Sequence, residues 1–176
     1  MGVPAVAVAW EGVAVGAAAV GAGVLMMAGS AGKGGEDWAV SKKAKERAEN
    51  PPDYTGKPVP AKEKYDPDAH DLAERINEQA KSDPMKSGNA QAQATFPNYY
   101  REFDVISDDY IGQAKPPITY GSEFRDQAQI TFEAAIATGR TPYFHFNGVP
   151  DRDVLRALER YKLRYGQDYV LDLVPF

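Results

Sequence analysis

Apolar and polar positions follow three different patterns along the chain. In residues 1–35 nearly every position is Ala, Val or Gly, Met26 and Met27 fall near the end, and no charge stands between Gly12 and Ala31. A run of about 20 such residues is long enough to cross a bilayer core. It is a weak run, because Gly and Ala bury little apolar area, Glu11 borders it, and no basic residue precedes Lys33 as a secretory signal would require. The stretch predicts a helix frayed by its glycines: either a translocation or membrane-active helix, or a small-residue helix packed against a larger carrier. Residues 36–67 show no apolar period. Charges alternate past Lys42, Lys43, Lys45 and Arg47, and five prolines lie between Asn50 and Pro67, which predicts a solvated, extended linker.

From residue 68 the pattern becomes dense. Asp66 or Asp68 offers a helix N-cap, and Leu72, Ile76 and Ala80 share one face of a helix over residues 68–81. Residues 83–89 break it. Residues 99–106 alternate and are rich in Tyr, Phe, Val and Ile, the mark of a strand. A turn at Ser107, Asp108 and Asp109 leads to a second strand over residues 110–115, stopped by Pro116 and Pro117. Ser122 is placed to cap a helix through Phe124, Ala128, Phe132 and Ile136, with Gly139 at its C-terminal cap. Residues 141–146 predict a third strand. Pro150 and Asp151 open a helix with Val154, Leu155, Leu158 and Tyr161 on its inner side, and residues 168–174 form a last strand. The expected order is helix, strand, strand, helix, strand, helix, strand, an α/β domain over residues 68–176.

Composition narrows the chemistry. The absence of cysteine excludes a disulfide scaffold, a thiolate zinc site and a cysteine nucleophile. The net charge of -5 argues against a non-specific phosphate clamp, but not against a carboxylate site that works through divalent cations. With two histidines there is no two-histidine metal motif, and Gly21-Ala22-Gly23 follows no strand, so it is no phosphate loop. Arg152, Arg156, Arg160 and Arg164 recur at near-helical spacing, as a nucleic-acid rail or simply an exposed face.

The segment that carries chemistry is EFDVISDDYIGQAK, residues 102–115. Residues two apart on a strand point to one side, so Glu102 and Asp104 share a face, as do Gln113 and Lys115. The short turn forces the two strands into a hairpin whose surface gathers carboxylates, an amide and an ammonium. A hard cation such as magnesium takes oxygen ligands. Asp104 supplies a carboxylate, Gln113 a side-chain carbonyl and Ala114 a backbone carbonyl. Lys115 is suited to polarise a water or stabilise charge on phosphate. The bland alternative is a solvent-facing hairpin with an Asp104–Lys115 cross-strand pair.

This arrangement resembles the PD-(D/E)xK, or restriction-endonuclease-like, nuclease superfamily. Asp104 matches the Asp of the pattern and Gln113-Ala114-Lys115 its acidic-x-Lys tripeptide, with Gln where an acid is usual. The resemblance covers roughly residues 68–176 and implies a small mixed sheet flanked by helices. It implies a divalent metal, Mg2+ or Mn2+, a Glu on the preceding helix, with Glu78 favoured over Glu74, and a phosphate-holding role for Arg125 on the following helix. An apolar leader, a Pro-rich linker and a terminal nuclease domain together resemble the tail of a bacterial polymorphic toxin. That resemblance implies a secreted effector delivered into the target-cell cytoplasm, a carrier or delivery protein for the leader, and a cognate immunity protein. It also implies that the chain is a fragment or cleaved product of something longer. DNA is the expected substrate and tRNA the runner-up. The reading from another class is a non-enzymatic binding or adaptor domain.

Overall fold

The computed structural model describes residues 49–62 and 64–175, so the apolar leader and the lysine-rich stretch after it lie outside the described residues. In chain order the elements are β1 (Val59–Pro60), α1 (Pro67–Ser82), β2 (Gln91–Thr95), β3 (Phe103–Ile106) and β4 (Tyr110–Lys115). Then come α2 (Ser122–Thr138), β5 (Thr141–Phe146), α3 (Arg152–Tyr165) and β6 (Val170–Asp172). The strands form one mixed sheet in sequential order, antiparallel from β1 to β4 and parallel from β4 to β6. Among the described residues no helix is long and apolar enough to cross a membrane.

Period-two alternation splits the sheet into two faces. On one, Val105, Ala114 and Tyr143 pack against Leu72, Ala73 and Ile76 of α1. Gly112 is needed there, because a Cβ at that position would sit 3.2 Å from the Val105 Cβ and 3.3 Å from Leu72 Cδ2. On the other face, Phe144 and Phe146 pack against Phe124, Ala128 and Phe132 of α2 and Val154, Ala157 and Leu158 of α3. Ile106 and Ile111 meet Ile130, Ala134 and Ala135 of α2. The alanines of α2 let the helix lie close to the sheet.

Several expected boundaries move. Asp66 is the cap of α1, its side chain accepting the Asp68 N–H. Ser122 is not a cap: Gly121 holds that position without a side-chain bond, and Ser122 is already helical. Gly139 does end α2 in the left-handed conformation, with φ 66°. The strand expected from residue 99 begins only at Phe103. Tyr99 instead closes a turn onto the Phe96 carbonyl and packs edge-on against Tyr54. The last strand is shorter than residues 168–174, because the Asp172 carboxylate takes the Val174 N–H and ends the ladder.

Two strands had no signal of their own. β2 reads QAQAT, poor in β-formers, and pairs because β3 presents an open edge beside it. β1 lies within the proline-rich stretch expected as linker and takes the outer edge, where Pro60 costs no ladder bond to a further strand. With Tyr54 packed on Phe96 and Tyr99, residues 54–61 belong to the folded unit.

Candidate active site

The hairpin of β3 and β4 pairs Val105 with Gly112 and Ile106 with Ile111. Ser107 fixes its turn, its hydroxyl accepting the Tyr110 N–H. One step past this ladder the two strands are joined by a side chain instead of backbone. Asp104 Oδ2 accepts the Ala114 N–H at 2.8 Å and the Lys115 ammonium at 2.9 Å. Asp104, Gln113 and Lys115 are thus brought together, and Ala114 is locked between them by its own N–H.

The pair is not the solvent-facing one of the bland reading. The side chains of Lys115 and Asp104 are only 20% and 14% exposed. Burial pushes the Asp104 carboxyl up, and it stays above its ordinary value although Lys115 and the Ala114 N–H pull it down; the Asp66 carboxylate pushes it up further. The depth of Asp104 outweighs the two donors that reach it.

Asp104 lines a half-open cleft of about 380 Å³ with Arg101, Glu102, Gln113, Gln127 and Ile130. Gln127 and Ile130 come from α2, whose position over the cleft is braced by Asp126, paired with Arg101. Gln113 is only 5% exposed, and its side-chain amide has no hydrogen-bond partner among the described residues. The amide lines the cleft and is placed to offer its oxygen to a ligand there. The converging donors are oxygens: carboxylates of Asp104 and Glu102 and the amide of Gln113. Among the described residues no group of three His, Cys, Asp or Glu side chains gathers to hold a metal. The donor set fits a hard cation that accepts amide, backbone and water oxygens, and does not fit zinc.

Glu78, Arg125, Arg160 and His145 lie elsewhere. Glu78 points to solvent from α1 and pairs with Lys81. It does not line the cleft, because the buried face of α1 runs through Ala69, Leu72, Ala73 and Ile76. Arg125 is also outside it: its guanidinium stands 6.0 Å from the Tyr120 ring centroid, and its carbonyl accepts the Tyr161 hydroxyl. Arg160 approaches the same ring from α3, 5.9 Å away. His145 is fully buried on the α1 face of the sheet, 3.2 Å from Asp172.

Two residues of the cleft's surroundings escaped the pattern reading. Gln93 stands opposite Asp104 on β2, between the pairs Ala92–Val105 and Ala94–Phe103. Asp66 reaches Asp104 electrostatically from the cap of α1. Neither carries a local signal, since a Gln in a weak strand and an Asp before a helix look the same wherever they occur.

A mixed sheet with α1 on one face and two helices on the other, and an Asp on one strand bound to the Lys of a Gln-x-Lys on the next, defines a restriction-endonuclease-like fold. The chain belongs to the family described as restriction endonuclease fold toxin 3, whose model matches residues 68–167. That span runs from α1 past α3 and includes Asp104, Gln113 and Lys115. Comparison with curated proteins and with solved structures finds no match.

Proposed function

We propose that this protein is a metal-dependent nuclease toxin that hydrolyses phosphodiester bonds, with DNA as substrate. The observation that carries the reading is the Asp104–Lys115 contact at a cleft that Asp104 and the Gln113 amide line together. Family membership supports the toxin and nuclease parts of it.

A divalent cation, Mg2+ or Mn2+, would be held by Asp104, Gln113 and the Ala114 carbonyl; it would supply neutralising charge and a more acidic water. The residues do the rest. Asp104, buried in the cleft, would give the cation its anionic ligand. The Gln113 amide oxygen adds a neutral one. The Lys115 ammonium, fixed 2.9 Å from Asp104, holds a second positive charge where the phosphate gathers negative charge in the transition state. The α2 side of the cleft, through Gln127 and Ile130, limits water around the reacting group.

The partners follow from the toxin reading. A cognate immunity protein would cover the cleft or block the path to it. The leader at residues 1–35 would serve delivery, through a carrier, into the cytoplasm of a competing bacterium. The test is incubation of the purified chain with plasmid and with total RNA, each with Mg2+ and with EDTA. Plasmid cleavage that EDTA abolishes is expected. Cleavage of RNA alone would replace DNA by RNA as substrate, and no cleavage of either would favour a non-enzymatic binding domain. Growth arrest on cytoplasmic expression, relieved by the immunity protein, tests the toxin role; unimpaired growth would count against it.

A further inference from the structure

Gln93 adopts a left-handed backbone in the middle of a strand, with φ 46°. For a residue other than glycine that conformation costs on the order of 1–3 kcal/mol and persists only where surrounding contacts over-determine it. The contacts here are specific. The Gln93 side-chain oxygen Oε1 accepts the Asp66 N–H at 2.8 Å. Its amide nitrogen donates to the Lys64 carbonyl at 2.7 Å and to Glu102 Oε1 at 3.2 Å. Gln93 is 9% exposed, so the arrangement is nearly closed to solvent. One amide thus ties the start of α1 to a carboxylate that lines the same cleft as Asp104 and Gln113.

We infer that Glu102 is the second carboxylate ligand of the cation, and that Gln93 is the positioning residue that holds it there. This deepens the metal-dependent nuclease reading and rests on it. The chemistry is consistent. The acid missing from the tripeptide, where Gln113 stands, leaves Asp104 as the lone anionic ligand on the hairpin. Glu102 restores a second negative charge from two residues before Asp104. A carboxylate in a partly buried cleft needs a hydrogen bond to keep one oxygen fixed, and partners that orient a metal ligand in this way are typically worth about 10–100-fold in metal affinity. Gln113 lines the same cleft and can offer its amide oxygen to the same cation.

The experiment is a Mn2+ titration of the full chain by calorimetry, without nucleic acid, alongside melting curves and cleavage kinetics. The variants are Glu102→Gln, Gln93→Met, their double, and Asp104→Asn. Gln93→Met keeps the length and volume of the side chain and removes only its amide. Glu102→Gln and Gln93→Met should each weaken Mn2+ binding by about tenfold or more, and lower kcat with little change in KM for nucleic acid. The double variant should bind no more weakly than Glu102→Gln alone, because Gln93 acts through Glu102. Additive losses, or a lower melting point with unchanged Mn2+ affinity in Gln93→Met, would show that Gln93 only braces the loop, and overturn its assignment. Wild-type Mn2+ affinity in Glu102→Gln overturns the inference by itself, even if Gln93→Met fails to fold. Asp104→Asn separates the two failures: if it abolishes binding while Glu102→Gln does not, only this inference falls; if it too leaves binding intact, the metal reading falls with it.

Discussion

Two carboxylates in this sheet expose similar fractions of their side chains and are treated in opposite ways. The side chain of Asp104, on β3, is 14% exposed, and that of Asp172, on β6, is 10% exposed. Burial pushes both carboxyls up. For Asp172 the Val174 N–H, the Tyr143 hydroxyl and His145 together win, and its carboxyl lies below the ordinary value. Arg75 adds a guanidinium 3.2 Å away and reaches on to the Pro175 carbonyl, so the network pins the C-terminal strand to α1. For Asp104 burial wins over Lys115 and one backbone N–H. A well-supplied buried carboxylate holds structure together. Asp104, with fewer donors and beside the Gln113 amide, is the one proposed to hold a cation. Surface exposure alone therefore does not separate the two: Asp104 lies deeper in the protein, and Asp172 has the fuller set of donors.

The largest expected effect sets the two acids directly against each other. Asp104→Asn should cut cleavage by about 10²–10³, the usual cost of losing one electrostatic element of a hydrolytic site. Asp172→Asn should lower stability while leaving turnover per folded molecule essentially unchanged. Rates measured on fractions of known folded content check this, and an equal loss of turnover in both variants would erase the distinction.

Lys115→Met comes next. It should lower cleavage by a similar factor, about 10²–10³. It should also destabilise the fold by about 3 kcal/mol, because it strands a buried carboxylate. The Asp104–Lys115 pair read from sequence alone as exposed would have cost almost nothing to break. Urea unfolding of this variant distinguishes the two.

The pH dependence of stability sharpens the contrast further. His145 is pushed below its ordinary value by burial, which outweighs the pull of Asp172. The unfolded chain therefore takes up its proton first, and stability is lost as pH falls below about 6.5. Asp172, also depressed, contributes stability that is lost as pH falls below about 4. Asp104, raised, has the opposite sign: the folded state binds its proton more tightly, and its contribution declines as pH rises above about 4. His145→Gln should flatten the urea midpoint between roughly pH 6.5 and 5. Asp104→Asn should make it fall more steeply with acidification. A flat profile in the wild-type chain would contradict both assignments.

The smallest effects are expected at the two residues that resemblance suggested and geometry does not bring to the cleft. Glu78→Ala and Arg125→Ala should leave cleavage within about twofold, as surface changes away from a site usually do. A hundredfold loss in either would mean that substrate reaches beyond the cleft. Gln113→Glu should be tolerated and should tighten Mn2+ binding, measured by the same titration.

Much of this molecule is written locally. The apolar spacing of α1, the alternation that leads into β3, the Gly139 cap and the proline stops after Lys115 follow from steric and solvation preferences that act within a few residues. The same period-two rule put Asp104 and Lys115 on one hairpin surface, where they meet at 2.9 Å. Other features depend on what the rest of the chain supplies. Gln91–Thr95 is a strand only because β3 has an edge to pair with. Val59–Pro60 joins the sheet only because β2 is already there. The depth of Asp104, the place of the Gln113 amide beside it and the hold of Gln93 on Glu102 arise where α1, β2 and α2 converge. Periodicity reports which side of an element a residue faces. Burial, charge supply and the strain at Gln93 are sums over neighbours distant in sequence, and only the assembled sheet and its helices decide them.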